Sequence, residues 1–182
     1  MNQETKQMLE QGRKGQNLLA VYRDDISAED FSGIPTQIGK ELALFRRIND
    51  FQKDGWTAVR LRDITFAETM DNCPFVQRVM KGEHLADKLN ESGLAAENWK
   101  VLFESIRKNW GGWVTLDVSG EDGEDGFYLG RITGLTSSDL YLRPVLADGT
   151  PAPDDVTLSF EEIQTASVGG RYLETYRRYC KK

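Results

Sequence analysis

Trp113-Val-Thr-Leu-Asp-Val118 places Val114, Leu116 and Val118 on one side of an extended chain and Thr115 and Asp117 on the other. That alternation is the period of a strand with one buried face and one wet face. Downstream lie an acidic loop, Gly120-Glu-Asp-Gly-Glu-Asp-Gly126, then Phe127-Tyr-Leu-Gly130, Leu140-Tyr-Leu142, and a turn at Asp148-Gly-Thr-Pro151. Val156-Thr-Leu-Ser-Phe160, Glu162-Ile163 and a helical stretch around Tyr172-Leu173 complete the series. The same order occurs earlier. Leu18-Leu-Ala-Val-Tyr22 precedes an acidic loop, Asp24 to Asp30, followed by Phe31-Ser-Gly33, Leu42-Ala-Leu44 and a polar turn, Asp50 to Gly55. Trp56-Thr-Ala-Val-Arg-Leu61, Asp63-Ile64 and a helical start at Pro74-Phe-Val76 follow. Leu44 to Ile64 is 20 positions and Leu142 to Ile163 is 21. An ordered set of features at matched spacing reads as an internal duplication.

Each copy holds four or five short runs punctuated by Gly, Asp, Asn and Pro, the pattern of antiparallel strands joined by turns. So few strands suit a small, strongly bent sheet that closes on itself and hides its edges. Gly33 and Gly130 interrupt strand patterns where such a bend needs room. Between the copies, Phe75, Val79, Leu85 and Leu89 recur at near-helical spacing. A second helix over Ala95 to Asn109 puts Trp99, Leu102, Phe103 and Ile106 on one stripe, expected to pack on a barrel.

The run from Phe127-Tyr-Leu-Gly130 through Leu140-Tyr-Leu142 resembles the first motif of Sm-like proteins, where an apolar residue and a glycine precede strands of alternating hydrophobics. Phe31-Ser-Gly33 through Leu42-Ala-Leu44 is a weaker version, and SH3-like barrels share much of the pattern. The resemblance implies a mainly β protein with flanking helices (α+β): two small SH3-like or Sm-like antiparallel β-barrels in tandem, joined by a helical linker. The expected layout is a helical extension over 1–16, a first barrel over 17–72, a helical linker over 73–110, a second barrel over 111–168 and a helix over 169–182. The Asn-bearing loop and Arg-Gly motif of RNA-binding Sm-like proteins have no counterpart. Arg62-Asp63-Ile64 and Glu161-Glu162-Ile163 stand there instead.

The 182 residues carry 23 Lys and Arg against 29 Asp and Glu, a net charge of −6, which disfavours nonspecific binding to nucleic acid or anionic membranes. Residues 113–168 hold two basic residues, Arg131 and Arg143, against eleven acidic ones. The first copy is less acidic and has local positive spots at Arg46-Arg47 and Arg60-x-Arg62. The C-terminal end, Arg177-Arg-Tyr-Cys-Lys-Lys182, is basic. No run approaches the roughly 20 apolar residues of a membrane span. Cys73 and Cys180, far apart and outside any CxxC pair, read as reduced thiols of a cytoplasmic protein. With His84 as the single histidine, a structural zinc site lacks ligands.

No phosphate-binding glycine loop, dinucleotide fingerprint, zinc-protease helix or nucleophile elbow occurs. Cys73 before Pro74 fits a helix N-terminus, where a thiol pKa falls. His84 reads as an exposed residue of the linker, and the acidic Gly120–Gly126 loop as a solvated hairpin, with divalent-cation binding as the other possibility. The expected function is therefore non-catalytic: a binding or scaffolding protein with no cofactor and no metal that recognises a protein partner. Trp56, Arg46, Arg47 and Trp113 are the candidate partner-binding residues; the tryptophans read either as core or inter-module packing or as exposed aromatics of a peptide groove. The alternative expectation is Sm-like RNA binding through the first barrel.

Overall fold

The computed structural model describes residues 2–27, 30–70, 72–119 and 125–180. Helix α1 (Gln3–Gly15) starts where the Asn2 side chain accepts the Thr5 N–H at 2.8 Å, and it ends where Gln16 turns left-handed. Five strands follow: β1 (Leu19–Tyr22), β2 (Phe31–Ile38), β3 (Leu42–Asn49), β4 (Gln52–Arg60) and β5 (Phe66–Thr69). Helices α2 (Pro74–Gly82) and α3 (Trp99–Trp110) lead to β6 (Trp113–Ser119), β7 (Asp125–Leu135), β8 (Asp139–Pro144), β9 (Val156–Ser159) and β10 (Ile163–Val168). Helix α4 (Arg171–Tyr179) comes last.

All ten strands belong to one open antiparallel sheet in the order β5-β1-β2-β3-β4-β10-β6-β7-β8-β9. The expectation of two closed small barrels in tandem is thereby overturned; a mainly β chain with flanking helices remains. The halves do repeat one strand order, β5-β1-β2-β3-β4 and β10-β6-β7-β8-β9. They also repeat an irregularity: the register shifts between Pro35 and Gln37 on β2, and between Ile132 and Gly134 on β7.

What replaces closure is the pairing of β4 with β10, which registers Val59 with Thr165, Ala58 with Ala166, Thr57 with Ser167 and Trp56 with Val168. The edge that a closed barrel would hide within its own half is satisfied here by the other half. Gly55 permits the approach. Its φ is +77°, and a Cβ there would stand 2.1 Å from the Val168 carbonyl oxygen and 2.4 Å from the Gly170 nitrogen. Gly130 allows a similar closeness between β7 and β8, where a Cβ would meet the Arg143 carbonyl oxygen at 2.2 Å.

Three apolar clusters follow from this layout. Leu9 of α1 covers Leu19, Val21, Phe31, Ala43, Phe45 and Val59. Leu18, Ile34 and Ile48 pack with Val76, Leu85 and Leu89. The largest cluster joins the α3 stripe Trp99, Leu102, Phe103 and Ile106 to the second half and also to Leu42, Leu44 and Ala58 of the first. The stripe therefore bridges the halves instead of packing on one of them. Helix α3 begins at Trp99, not Ala95, because the Asn98 side chain caps it by accepting the Val101 N–H at 3.0 Å. Leu85 and Leu89 lie in turns and not on a continued helix, with His84 and Lys88 at positive φ. Among the described residues no helix is long and apolar enough to cross a membrane.

Candidate functional site: a polar cleft on the seam

Strands β4, β10 and β6 lie side by side, and their registers set Thr57, Ser167 and Thr115 in one row across them. Thr165 and Asp117 form the neighbouring row on the same face. Because side chains alternate along a strand, the intervening Ala58, Ala166 and Leu116 face the opposite way, into the core under α3. The polar rows are internally bonded. Thr57 Oγ1 and Ser167 Oγ are 2.9 Å apart, and the Thr165 hydroxyl donates to the Asp117 carboxylate. They form the floor of a cleft of about 320 Å³.

The walls come from both halves. Arg47 and Phe31 line one side, and Phe127 and Tyr172, with ring centroids 6.1 Å apart, line the other. The end of the cleft is set by α4, whose Arg171 N–H donates to Asp54 at 2.7 Å. The carboxylate thus meets the positive end of the helix dipole while satisfying an otherwise unbonded amide.

Arg47 is the unusual member. Its guanidinium carbon lies 4.7 Å from the centroid of the Phe31 ring, a cation–π distance. It forms no hydrogen bond or ion pair with any other described residue, and Asp54, Asp117 and Asp30 act on it only from longer range. Burial pushes its pKa below the ordinary arginine value, opposed chiefly by Asp54. A half-buried cation held by a ring face and left without a carboxylate is poised to receive one.

The other candidate residues do not join it. Trp56 is 9% exposed and packs in the main cluster, 5.5 Å from Trp110 between ring centroids. Arg46 lies across it, its guanidinium carbon 3.9 Å from the indole centroid, and desolvation lowers the Arg46 pKa. Both Trp56 Nε1 and Arg46 Nε are buried with no hydrogen-bond partner among the described residues. This stacked pair is an internal joint and presents no groove aromatic. Trp113 is half-buried and lines a separate cleft beneath α4.

Sequence reasoning missed Thr57, Asp117, Thr165, Ser167 and Tyr172. The polar positions of alternating strands were the available signal, and only the β4–β10 pairing shows which of them meet. Among the described residues no three of His, Cys, Asp and Glu gather where they could hold a metal ion. Residues 120–124 of the acidic loop considered for a divalent cation, and Lys181 and Lys182 of the basic tail, lie outside the described residues. His84 is exposed, with Nδ1 3.3 Å from Asp87 and its carbonyl oxygen accepting from Lys53 at 2.9 Å.

Cys73 is exposed at the N-cap of α2. The backbone amides of Val76 and Phe75 in the first turn of α2, and the nearby Arg78 charge, lower its thiol pKa. A lowered pKa leaves more thiolate at neutral pH, so iodoacetamide near pH 7 should alkylate Cys73 well before Cys180. Peptide mapping over a time course reads this directly, and equal rates at the two cysteines would contradict it.

Compared with known proteins, the chain matches no family model, no curated protein and no solved structure.

Proposed function

We propose that this chain is a non-catalytic binding protein that recognises a protein partner, and that the seam cleft takes an extended, carboxylate-bearing segment of it. The observation that supports this reading is Arg47: a half-buried guanidinium on the Phe31 ring with no ion pair among the described residues. A carboxylate arriving there forms charge-assisted, two-pronged hydrogen bonds, worth about 1.5–3 kcal/mol. The hydroxyls of Thr57, Thr115 and Ser167 and the Phe127 and Tyr172 rings suit the polar backbone and apolar side chains of a peptide. A phosphate backbone fits less well, since the three carboxylates Asp30, Asp54 and Asp117 outnumber the two guanidiniums, Arg23 and Arg47, that line the cleft.

Selection from a random-peptide display library on the intact protein tests the reading. Recovered peptides should be enriched in Asp or Glu and should bind Arg47→Gln at least tenfold more weakly, while that variant melts within a few degrees of the parent. Peptides that bind Arg47→Gln equally well, or a selection without acidic residues, would remove the reading. Retention of an oligouridylate on filters at low salt, lost in Arg47→Gln, would replace it with RNA binding.

A further inference from the structure

The second half looks hostile to anions in sequence, with Arg131 and Arg143 as the two basic residues of 113–168 against eleven acidic ones. The fold rearranges that charge. Both arginines converge with Arg177 and Arg178 of α4 on one cleft of about 570 Å³, and among the described residues no aspartate or glutamate lines it. Trp113, Val145 and Pro151 supply its apolar surface. Four guanidiniums at one concavity repel one another, and in a chain of net charge −6 nothing in the overall composition explains their gathering. A cleft lined by one sign of charge concentrates ligands of the other sign.

Each arginine is held in a way that leaves donors to spare. The Arg131 Nε donates to the Gly111 carbonyl at 3.0 Å, and the Arg178 Nε to the Glu174 carbonyl at 3.2 Å. The terminal nitrogens of both have no hydrogen-bond partner among the described residues. Arg143 is fixed by Asp155, and Arg177 Nη1 lies 3.3 Å from Glu174. Asp155 also accepts from Thr133 at 2.7 Å, and the Thr133 hydroxyl and Arg143 together hold its carboxyl below the usual carboxylate range. The Arg143–Asp155 contact therefore persists at neutral pH and fails only in acid, as pH drops through that lowered value.

We propose that this cleft binds a nucleoside phosphate, with the phosphate on the free forks of Arg131 and Arg178 and the base against Trp113, Val145 and Pro151. Planar guanidiniums match phosphate oxygens two at a time. An indole and two aliphatic walls offer a flat heterocycle the apolar contact that a bare anion does not need. The cleft volume falls in the range that encloses ligands of nucleotide size. The site is separate from the seam cleft and shares no lining residue with it, so neither proposal depends on the other.

Titration of the full chain with ADP, read by tryptophan fluorescence and calorimetry at two salt concentrations, tests it. Saturable binding that weakens as salt rises is expected, with affinity reduced at least tenfold in Arg131→Gln and again in Arg178→Gln. Trp113→Phe should bind ADP with most of the fluorescence change gone. Arg178 is exposed, and its interactions are one backbone bond and an exposed contact 5.9 Å from the Tyr179 ring centroid, so its variant should keep the parental melting curve and remains informative even if Arg131→Gln unfolds. No saturable signal up to millimolar ADP would overturn the proposal. So would adenosine or pyrophosphate binding as tightly as ADP, or parental affinity in Arg178→Gln. An oligoadenylate binding tenfold tighter than ADP would assign the cleft to a nucleic-acid strand instead.

Discussion

Replacing Gly55 by alanine should lower the stability of the protein by about 3–5 kcal/mol, which in a chain of this size moves the melting temperature down by roughly 6–20 °C. Two costs combine. The backbone at Gly55 has φ +77°, where a side chain is strained, and the added Cβ would stand 2.1 Å from the Val168 carbonyl oxygen and 2.4 Å from the Gly170 nitrogen. Both neighbours are backbone atoms, so relief requires β4 and β10 to separate instead of a side chain swinging aside. Thermal unfolding followed by circular dichroism measures the loss. A variant that melts with the parent would mean that the strands do not approach in this way.

Trp56→Ala should cost a similar amount, about 3–5 kcal/mol, the range for truncating a large buried aromatic. The indole fills the space between Trp110 and the Arg46 guanidinium, and its removal leaves that cation over a void. Trp56→Phe separates packing from the polar atom. It keeps a ring and deletes the buried, unpaired Nε1 donor, so it should lose far less stability than alanine does. Urea denaturation of the pair decides it, and equal losses would show that ring packing is not what Trp56 contributes. Any loss of partner capture in Trp56→Ala would then report unfolding and not a missing contact.

Strand content and its repetition were legible because alternation is local: Val114, Leu116 and Val118 announce a buried face whatever they pack on. The global closure was not. Two halves that each close, and two halves that share one sheet, demand the same alternation within every strand. The difference lies in which edge β4 meets. Small residues facing each other, Ala58 and Ala166, with Gly55 beside them, mark that choice.

The alignment of the copies was also one residue out on the third strand. Matching the register shifts pairs Ala43 and Phe45 with Leu140 and Leu142, where the apolar pattern pairs Leu42 and Leu44 with them. Both faces of β3 are buried, Ala43 and Phe45 under α1 and Leu42 and Leu44 under α3, so hydrophobicity alone does not fix the phase. Arg47 was legible as a positive spot, but its neighbour Arg46 looked identical in sequence. One faces a cleft and the other an indole because adjacent strand residues point to opposite sides.

Thr57 and Ser167 are 110 positions apart in the chain. A ribosome adding about 5–20 residues per second needs on the order of ten seconds to make the second after the first. Throughout that interval the emerging polypeptide carries β4 as a bare edge, ready to pair with whatever strand comes near. Until β10 arrives, the nascent chain thus presents an unpaired edge that the finished protein does not.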